Sequence, residues 1–481
     1  MDLNFLLNRA IKFHLKGKLD KAELDYKKII KSQPQNIIAN NNLASIENIK
    51  KNYKNSLHIL ENILKINPNY VDALNNKGIA LMGLERFDEA LNVFNKTLEI
   101  KPDFLDALNN IANCFKLIEN YEDAIEYYQR AINIKPNYVE AIYNSGICFY
   151  EINKFDDAEK KYIEAIKIKP DFIDANFNLS VIKLLKGNYK EGLPLYEWRK
   201  KRPIFKKYDF YESKNEWLGD QDINNKIIYI TKEQALGDYI QYSRYFPLVE
   251  KKGAKIILDP PKQLKNMIDN MDINYTHVDD LKKLSFDYYC PIASLPLAFN
   301  TTVQTIPNQI PYFFTPKDIK NYWRHKLNSN KIKVGLKWSG SSIYADDKNR
   351  STSLDKFLPL FDLPYEFHSL HIEYTKNDEK LKNDISNLYC HKDEILGLDN
   401  TAGLIDAMDL VISVDTGIVQ LCGALGKKFW NLLPYTADYR WLLDRNDSPW
   451  FPSAKLYRQV KKGDWDTVIQ KVKIDLMNFK K

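Results

Sequence analysis

The sequence predicts an α-helical solenoid followed by a pair of α/β lobes. Three observations carry this expectation. Prolines recur at Pro34, Pro68, Pro102, Pro136 and Pro170, 34 residues apart each time. After Pro203 the period stops, and short apolar runs alternate with amphipathic ones, as in a parallel sheet with crossover helices. Two of those runs lead through small-residue turns into helices, at Gly237-Asp238 and at Asp415-Thr416-Gly417. A chain of 481 residues has room for three domains at about 100–200 residues each.

The repeat is locked in several columns at once. Each proline is followed after five residues by alanine (Ala39, Ala73, Ala107, Ala141, Ala175) and after ten by a small residue (Ala44, Gly78, Ala112, Gly146, Ser180). Nineteen residues on stands an aromatic ring: Tyr53, Phe87, Tyr121, Phe155 or Tyr189. Proline lacks an N–H and resists a helix interior, so it marks where one helix ends and the next begins. The small residues let paired helices approach, and the rings fill the gaps between pairs. The pattern resembles the tetratricopeptide repeat. Residues 1–33 read as a preceding unit and 171–203 as a last, drifting one, so residues 1–203 form a solenoid of about six repeats.

Asparagine stands eight residues after every one of these prolines: Asn42, Asn76, Asn110, Asn144 and Asn178. The position falls on the first helix of each pair, which lines the concave face. An amide both donates and accepts, so this column suits a bound peptide backbone or, equally, bonds between neighbouring repeats. The ladder resembles that of the O-linked N-acetylglucosamine transferases, which implies an acceptor groove for a protein or peptide.

Beyond a connecting stretch from Glu197 to Asn225, strands are expected at Ile227–Ile230, Lys255–Leu258, Lys333–Lys337, Phe367–His371, Leu410–Asp415 and Phe429–Leu433. Helices are expected at Tyr239–Glu250, Lys262–Ile268, Thr401–Met408, Thr416–Leu425 (closed by Gly426) and Trp465–Phe479. Pro291–Phe299 reads as an apolar loop. These elements make two Rossmann-like lobes, 204–325 and 326–481, with a ligand cleft expected between their strand ends.

The two turns are the candidate chemistry. Gly237 permits a tight turn, and Asp238 either caps the helix or, facing a cleft, takes a proton from a hydroxyl. At the second turn the helix N-terminus suits a diphosphate, with Thr416 and Gly417 allowing close approach; a plain N-cap by Asp415 or Thr416 is the other reading. Neither turn is a Walker loop or a dinucleotide fingerprint, which argues against ATPase and NAD chemistry.

Four segments are similar to bacterial tetratricopeptide-repeat glycosyltransferases with a heptosyltransferase-like catalytic region: 233–245, 294–299, 413–417 and 440–452. The resemblance implies a GT-B fold, a nucleotide-sugar donor in the C-terminal lobe, and no required metal or other cofactor. It matches Asp238 to the catalytic base and Asp415, Thr416 and Gly417 to the loop for the donor diphosphate and sugar. Trp338, Ser339 and Gly340 match the turn after the first strand of the donor lobe, with Arg350 where a cation meets phosphate or is simply a surface residue. The chain departs from the family pattern at Gln420, where histidine is usual, and at His371, where glutamine is usual. Glutamine can donate to a phosphate or sugar oxygen but brings no charge; His371 supplies one if both face a single pocket.

Seventy Lys+Arg against 63 Asp+Glu leave a net charge of +7, with no basic stripe to suggest nucleic acid. Five scattered cysteines without a C-x-x-C pair fit a reducing compartment. With no run apolar enough to span a membrane, a cytoplasmic protein is expected. The expected activity is inverting, metal-independent transfer of a sugar from a nucleotide sugar to a hydroxyl, on a protein or peptide held by the repeats. Two alternatives stand beside it: a non-catalytic scaffold that binds nucleotide sugar, and a transferase acting on a glycan or lipid-linked saccharide.

Overall fold

The computed structural model describes residues 2–205, 215–233, 236–278, 285–341 and 347–480; Gln234 and Ala235 of the first turn and residues 206–214 of the connecting stretch lie outside these. The chain divides into two compact units, Met1–Ala175 and Asn176–Lys481. Among the described residues no helix is long and apolar enough to cross a membrane.

The first unit is built of helix pairs. They are Leu3–Leu15 with Leu19–Ser32, Ile37–Ile49 with Tyr53–Ile66, Val71–Gly83 with Phe87–Ile100, Leu105–Leu117 with Tyr121–Ile134, and Val139–Glu151 with Phe155–Ile168. Between the helices of a pair the chain turns through a left-handed residue: Gly17, Lys51, Glu85, Glu119 and Asn153, with φ from 58° to 68°. Only the first is glycine. The other four carry a Cβ that costs about 1–2 kcal/mol in this region, and packing of both helices holds them there.

That packing follows the small-residue column. A Cβ on Gly78 would run into the ring of Phe94, and one on Gly146 would lie 2.7 Å from the ring of Tyr162. Ala107, Ile111, Ala124, Tyr128 and Ala141 are fully buried in one continuous core along the array.

The second unit begins with the end of a sixth pair, Ile173–Leu185 and Tyr189–Tyr196. Pro194 lies inside the latter helix, which is eight residues long against 14 in the preceding repeats, and a 3-10 turn, Glu197–Lys201, follows it. The expected domain limit at 203 thus falls within this unit. A parallel sheet follows, of β1 (Ile227–Thr231), β2 (Lys255–Leu258), β3 (Tyr275–His277) and β4 (Tyr288–Pro291), in the order β3-β2-β1-β4.

A second parallel sheet holds β5 (Lys333–Lys337), β6 (Glu366–Ser369), β7 (Leu388–Cys390), β8 (Leu410–Val414), β9 (Phe429–Leu433) and β10 (Ala454–Arg458). Its order is β10-β9-β8-β5-β6-β7. Counted from β5 this is 3-2-1-4-5-6 read from the β7 edge, an order that reverses between β5 and β8, the point at whose carboxyl ends sheets of this order bind ligands. Every residue of β8 and β9 is buried, as strands covered on both faces must be. Val334, Leu336, Ile412, Leu432 and the helix Trp465–Met477 share the core.

Several expected boundaries differ. The helix expected over Tyr239–Glu250 is two, Leu236–Tyr242 and Phe246–Lys251, because Pro247 cannot donate to the turn before it. The expected loop at Pro291–Phe299 is the end of β4, a 3-10 turn and the short helix Leu295–Ala298. The helix Lys317–Lys326 runs through the expected limit at 325, and its buried Trp323 packs 2.5 Å from where a Cβ of Gly403 would stand.

Candidate functional site

The two turns meet. Asp238 lies in the first turn of helix Leu236–Tyr242, just beyond β1, and Asp415 follows β8 directly. A Cβ on Gly237 would sit 3.3 Å from the side-chain amide of Gln420 on helix Gly417–Ala424, so glycine here lets the two helices touch. Thr416 is the cap of that second helix, its hydroxyl accepting from the Ile418 amide at 3.3 Å. Nothing stands within 4 Å of where a Cβ on Gly417 would be, so the helix N-terminus opens into free space.

Arg440 sits at the centre. Its Nη2 donates to Asp238 Oδ1 at 2.9 Å, and its Nε to Asp438 Oδ1 at 2.8 Å. With the Gln420 amide oriented to satisfy both its atoms, Oε1 accepts from Arg440 Nη1 at 2.8 Å and the nitrogen donates to the Thr416 carbonyl. The neighbouring Trp441 Nε1 donates to Asp415 Oδ2 at 2.7 Å. One guanidinium thereby links the exits of both sheets.

The electrostatics follow from burial. Desolvation pushes the Asp415 carboxyl up to about 6, against the pull of Arg440, the Trp441 bond and Arg350, and with a further push from Asp438. Asp238 is also raised, by burial first, opposed by Arg440 and assisted by Asp438 and Glu233. Its side chain keeps 27% of its exposure, so it remains open to solvent and to a ligand.

The other expected donor residues are divided. Arg350 donates to the Asp415 carbonyl and to Asp347, both at 3.0 Å, and so holds the exit of β8. Ser339 and Gly340 lie half-buried in the turn after β5, where a Cβ on Gly340 would collide with Asp347. Trp338 is fully buried, and His371 stacks on it at 3.8 Å between ring centres. The Trp338 amide donates to His371 Nε2 at 3.0 Å, and burial together with Lys337 drives the imidazole well below its usual value. His371 is therefore a neutral prop under the turn, and Arg440 is the cation that Gln420 faces.

Arg440, Asp438 and Trp441 were not among the residues expected from the turns. Arg440 and Trp441 open the 440–452 block, which contains no feature that says where it folds, and Asp438 lies just outside it with no sequence signal of its own.

The asparagine column bonds within the array. Asn76 Nδ2 donates to Asn41 Oδ1, and Asn110 Nδ2 to Asn75 Oδ1, each at 3.0 Å and each reaching back one repeat. Asn144 accepts from Lys116 Nζ at 3.0 Å. Asn42 and Asn178 lie half-buried on the corresponding helices.

Comparison with known proteins bears on the array. The tetratricopeptide-repeat family model matches residues 69–137 and 103–171. Protein FlbA of Caulobacter vibrioides is 22% identical over 329 residues, 62% of this chain and 54% of that one, so the chain spans about half the length of this curated relative. Among solved structures, a tetratricopeptide-repeat protein of Thermus thermophilus is 16% identical over 38% of this chain and 99% of its own, with a TM-score of 0.35. The type IV pilus biogenesis factor PilW is 19% identical over 43% of this chain and 97% of its own, with a TM-score of 0.39. Its 34-residue period, its paired helices and the family match identify the N-terminal helical array as one of tetratricopeptide repeats.

Proposed function

We propose that the second unit is an inverting, metal-independent glycosyltransferase of GT-B architecture that uses a nucleotide-sugar donor. The observation that carries this reading is the meeting of Asp238, beyond β1, with Arg440 and the helix Gly417–Ala424, beyond β8. Two parallel sheets whose strand exits face one charged cluster suit two Rossmann-like lobes that share a donor and an acceptor.

In this reading Asp238 is the base. Its carboxylate takes the proton of an acceptor hydroxyl while that oxygen bonds to the anomeric carbon. The bond from that carbon to the diphosphate oxygen breaks, and the nucleoside diphosphate leaves with the electron pair. A carboxyl raised by burial holds the proton better, which suits the role. Arg440 and the open helix N-terminus at Gly417 supply the positive potential that the leaving diphosphate needs. Diphosphate then competes with Asp238 for Arg440, so donor binding frees the base. The tetratricopeptide array is the module that presents a protein or peptide acceptor.

The double ion pair at Arg440 also suits a module that binds nucleotide sugar without turnover. Incubating the full chain with UDP-, GDP- and ADP-linked sugars decides between the two. The expected result is transfer or slow hydrolysis of one donor, with kcat about 10²–10⁴-fold lower in Asp238→Asn and donor binding by calorimetry retained. Undiminished transfer by that variant would remove Asp238 as base; binding without turnover in the wild type would favour the second reading.

A further inference from the structure

Arg199 is the most fully committed cation of the second unit. It lies in the 3-10 turn after helix Tyr189–Tyr196 and is 2% exposed. All five of its N–H directions are used. Nε and Nη2 form a fork on Glu233 at 3.0 and 3.2 Å, Nη2 also reaches Ser294 Oγ at 2.7 Å, and Nη1 donates to Glu197 at 2.6 Å and the Tyr196 carbonyl at 3.3 Å. Glu233 is itself buried, and its Oε2 accepts in addition from the Ala293 amide at 2.9 Å. One guanidinium thus ties together the segment after the last repeat helix, the exit of β1 and the exit of β4.

Glu233 stands five positions before Asp238, on the same strand-to-helix connection. We infer that Arg199 is a positioning residue which, through Glu233, fixes the Gly237-Asp238 turn in the place where Asp238 meets Arg440. The inference rests on the reading of Asp238 as the base. It gives Arg199 a role in the connecting stretch that begins at Glu197. A salt bridge needed only for stability would be replaceable by packed apolar groups; a planar fork that satisfies three chain segments fixes geometry.

The charges around Asp238 extend the argument. Arg440 faces it from the 439–441 turn and Asp438 from the cap of that turn, Tyr196 from the end of helix Tyr189–Tyr196, Tyr242 from the far end of its own helix, and Glu233 from its own connection. Glu233 raises the Asp238 carboxyl, and Arg199 neutralises Glu233. Removing the Glu233 charge therefore moves Asp238 toward lower pH, whatever happens to stability.

The test uses the full chain with Arg199→Lys, which keeps the charge but loses the fork, and Glu233→Gln, which keeps the shape but loses the charge. Hydrogen exchange followed by mass spectrometry reads the turn without needing turnover. In Arg199→Lys, exchange over 236–242 is expected to rise at least about 10-fold, with 417–424 unchanged. With a donor that turns over, kcat falls about 10–100-fold while the donor KM stays within about 2-fold. In Glu233→Gln the acid limb of kcat/KM shifts to lower pH. Unchanged exchange in a folded Arg199→Lys protein overturns the inference, as does an unmoved acid limb in Glu233→Gln. If the wild type transfers sugar and Asp238→Asn does not, yet both new variants match the wild type, the inference falls and the base assignment stands. If no donor is turned over, the base assignment falls and the exchange data alone decide on Arg199.

Discussion

Arg440 donates to Asp238 at 2.9 Å across 202 residues of sequence. The contact joins the turn after β1 to the turn before Trp441, and through Gln420 it reaches the helix that leaves β8. Three carboxylates, Asp238, Asp415 and Asp438, share the field of one buried guanidinium. Such a cluster is costly to assemble in a protein interior and costs more to leave incomplete.

Replacing the guanidinium measures that cost. In Arg440→Met, Asp238 and Asp438 lose their partner while remaining partly buried. Full burial would imply about 3–5 kcal/mol. Because both side chains keep contact with water, a loss of about 1–3 kcal/mol is expected, read as a lower urea midpoint at unchanged slope. Arg440→Lys is expected to recover part of this, since an ammonium can hold one carboxylate but not the fork. An Arg440→Met protein as stable as the wild type would mean the cluster contributes nothing to folding.

Asp415 predicts a pH dependence with a definite sign. Its carboxyl is raised to about 6 in the folded protein, against about 3.9 in an unfolded chain. Between those values the folded chain holds the proton and the unfolded chain has released it. Stability from this group is therefore present at low pH and is lost as pH rises from about 4 to 6. Asp415→Asn removes the titration, so its stability should fall less than that of the wild type over this interval. Urea unfolding at half-unit steps from about pH 4 to 7 gives the comparison; parallel curves would contradict the assignment.

The legible parts of the fold are those where one periodicity dominates. The 34-residue columns set the helix pairs because each column is a packing contact repeated in register, as Gly78 against Phe94 shows. The strands β1, β2, β5, β8 and β9 were expected because buried parallel strands are short apolar runs. None of the four edge strands, β3, β4, β7 and β10, was expected: β3 and β7 are three residues long and expose two residues each, and so present no such run. In the site, Gly237, Asp238 and the 415–417 turn were visible because each ends a strand. Arg440 was not visible as their partner, because an ion pair over 202 residues leaves no local pattern. His371 invited a charged reading that its burial against Trp338 and Lys337 removes.

The asparagine column gives a third prediction. In Asn76→Ala, Asn41 Oδ1 loses its donor while Asn41 itself stays 5% exposed. An acceptor stranded in this way costs about 1–3 kcal/mol. The double variant Asn41→Ala/Asn76→Ala removes both partners, and a cycle with the single variants is expected to show coupling of about 0.5–1.5 kcal/mol. The same should hold for Asn75 with Asn110. Additive single effects would mean that the side chains do not work as a ladder, and would leave a peptide backbone as their better partner.

Gly78 tests the packing that sets the repeat. A methyl group placed there meets the Phe94 ring, which is fully buried. Helix propensity alone would favour Gly78→Ala by up to about 1 kcal/mol. Overpacking opposes it by about 1–3 kcal/mol, so a net loss of stability is expected, read in the urea midpoint. Shrinking the ring distinguishes the causes. Phe94→Leu alone leaves a void and destabilises, whereas Gly78→Ala/Phe94→Leu fills part of that void with the new methyl group. The double variant should therefore be more stable than the sum of the two single losses implies. A stabilised Gly78→Ala single variant would show that the ring and the helix pair can move apart by about 1 Å without cost, and that the small-residue column is not what fixes the spacing.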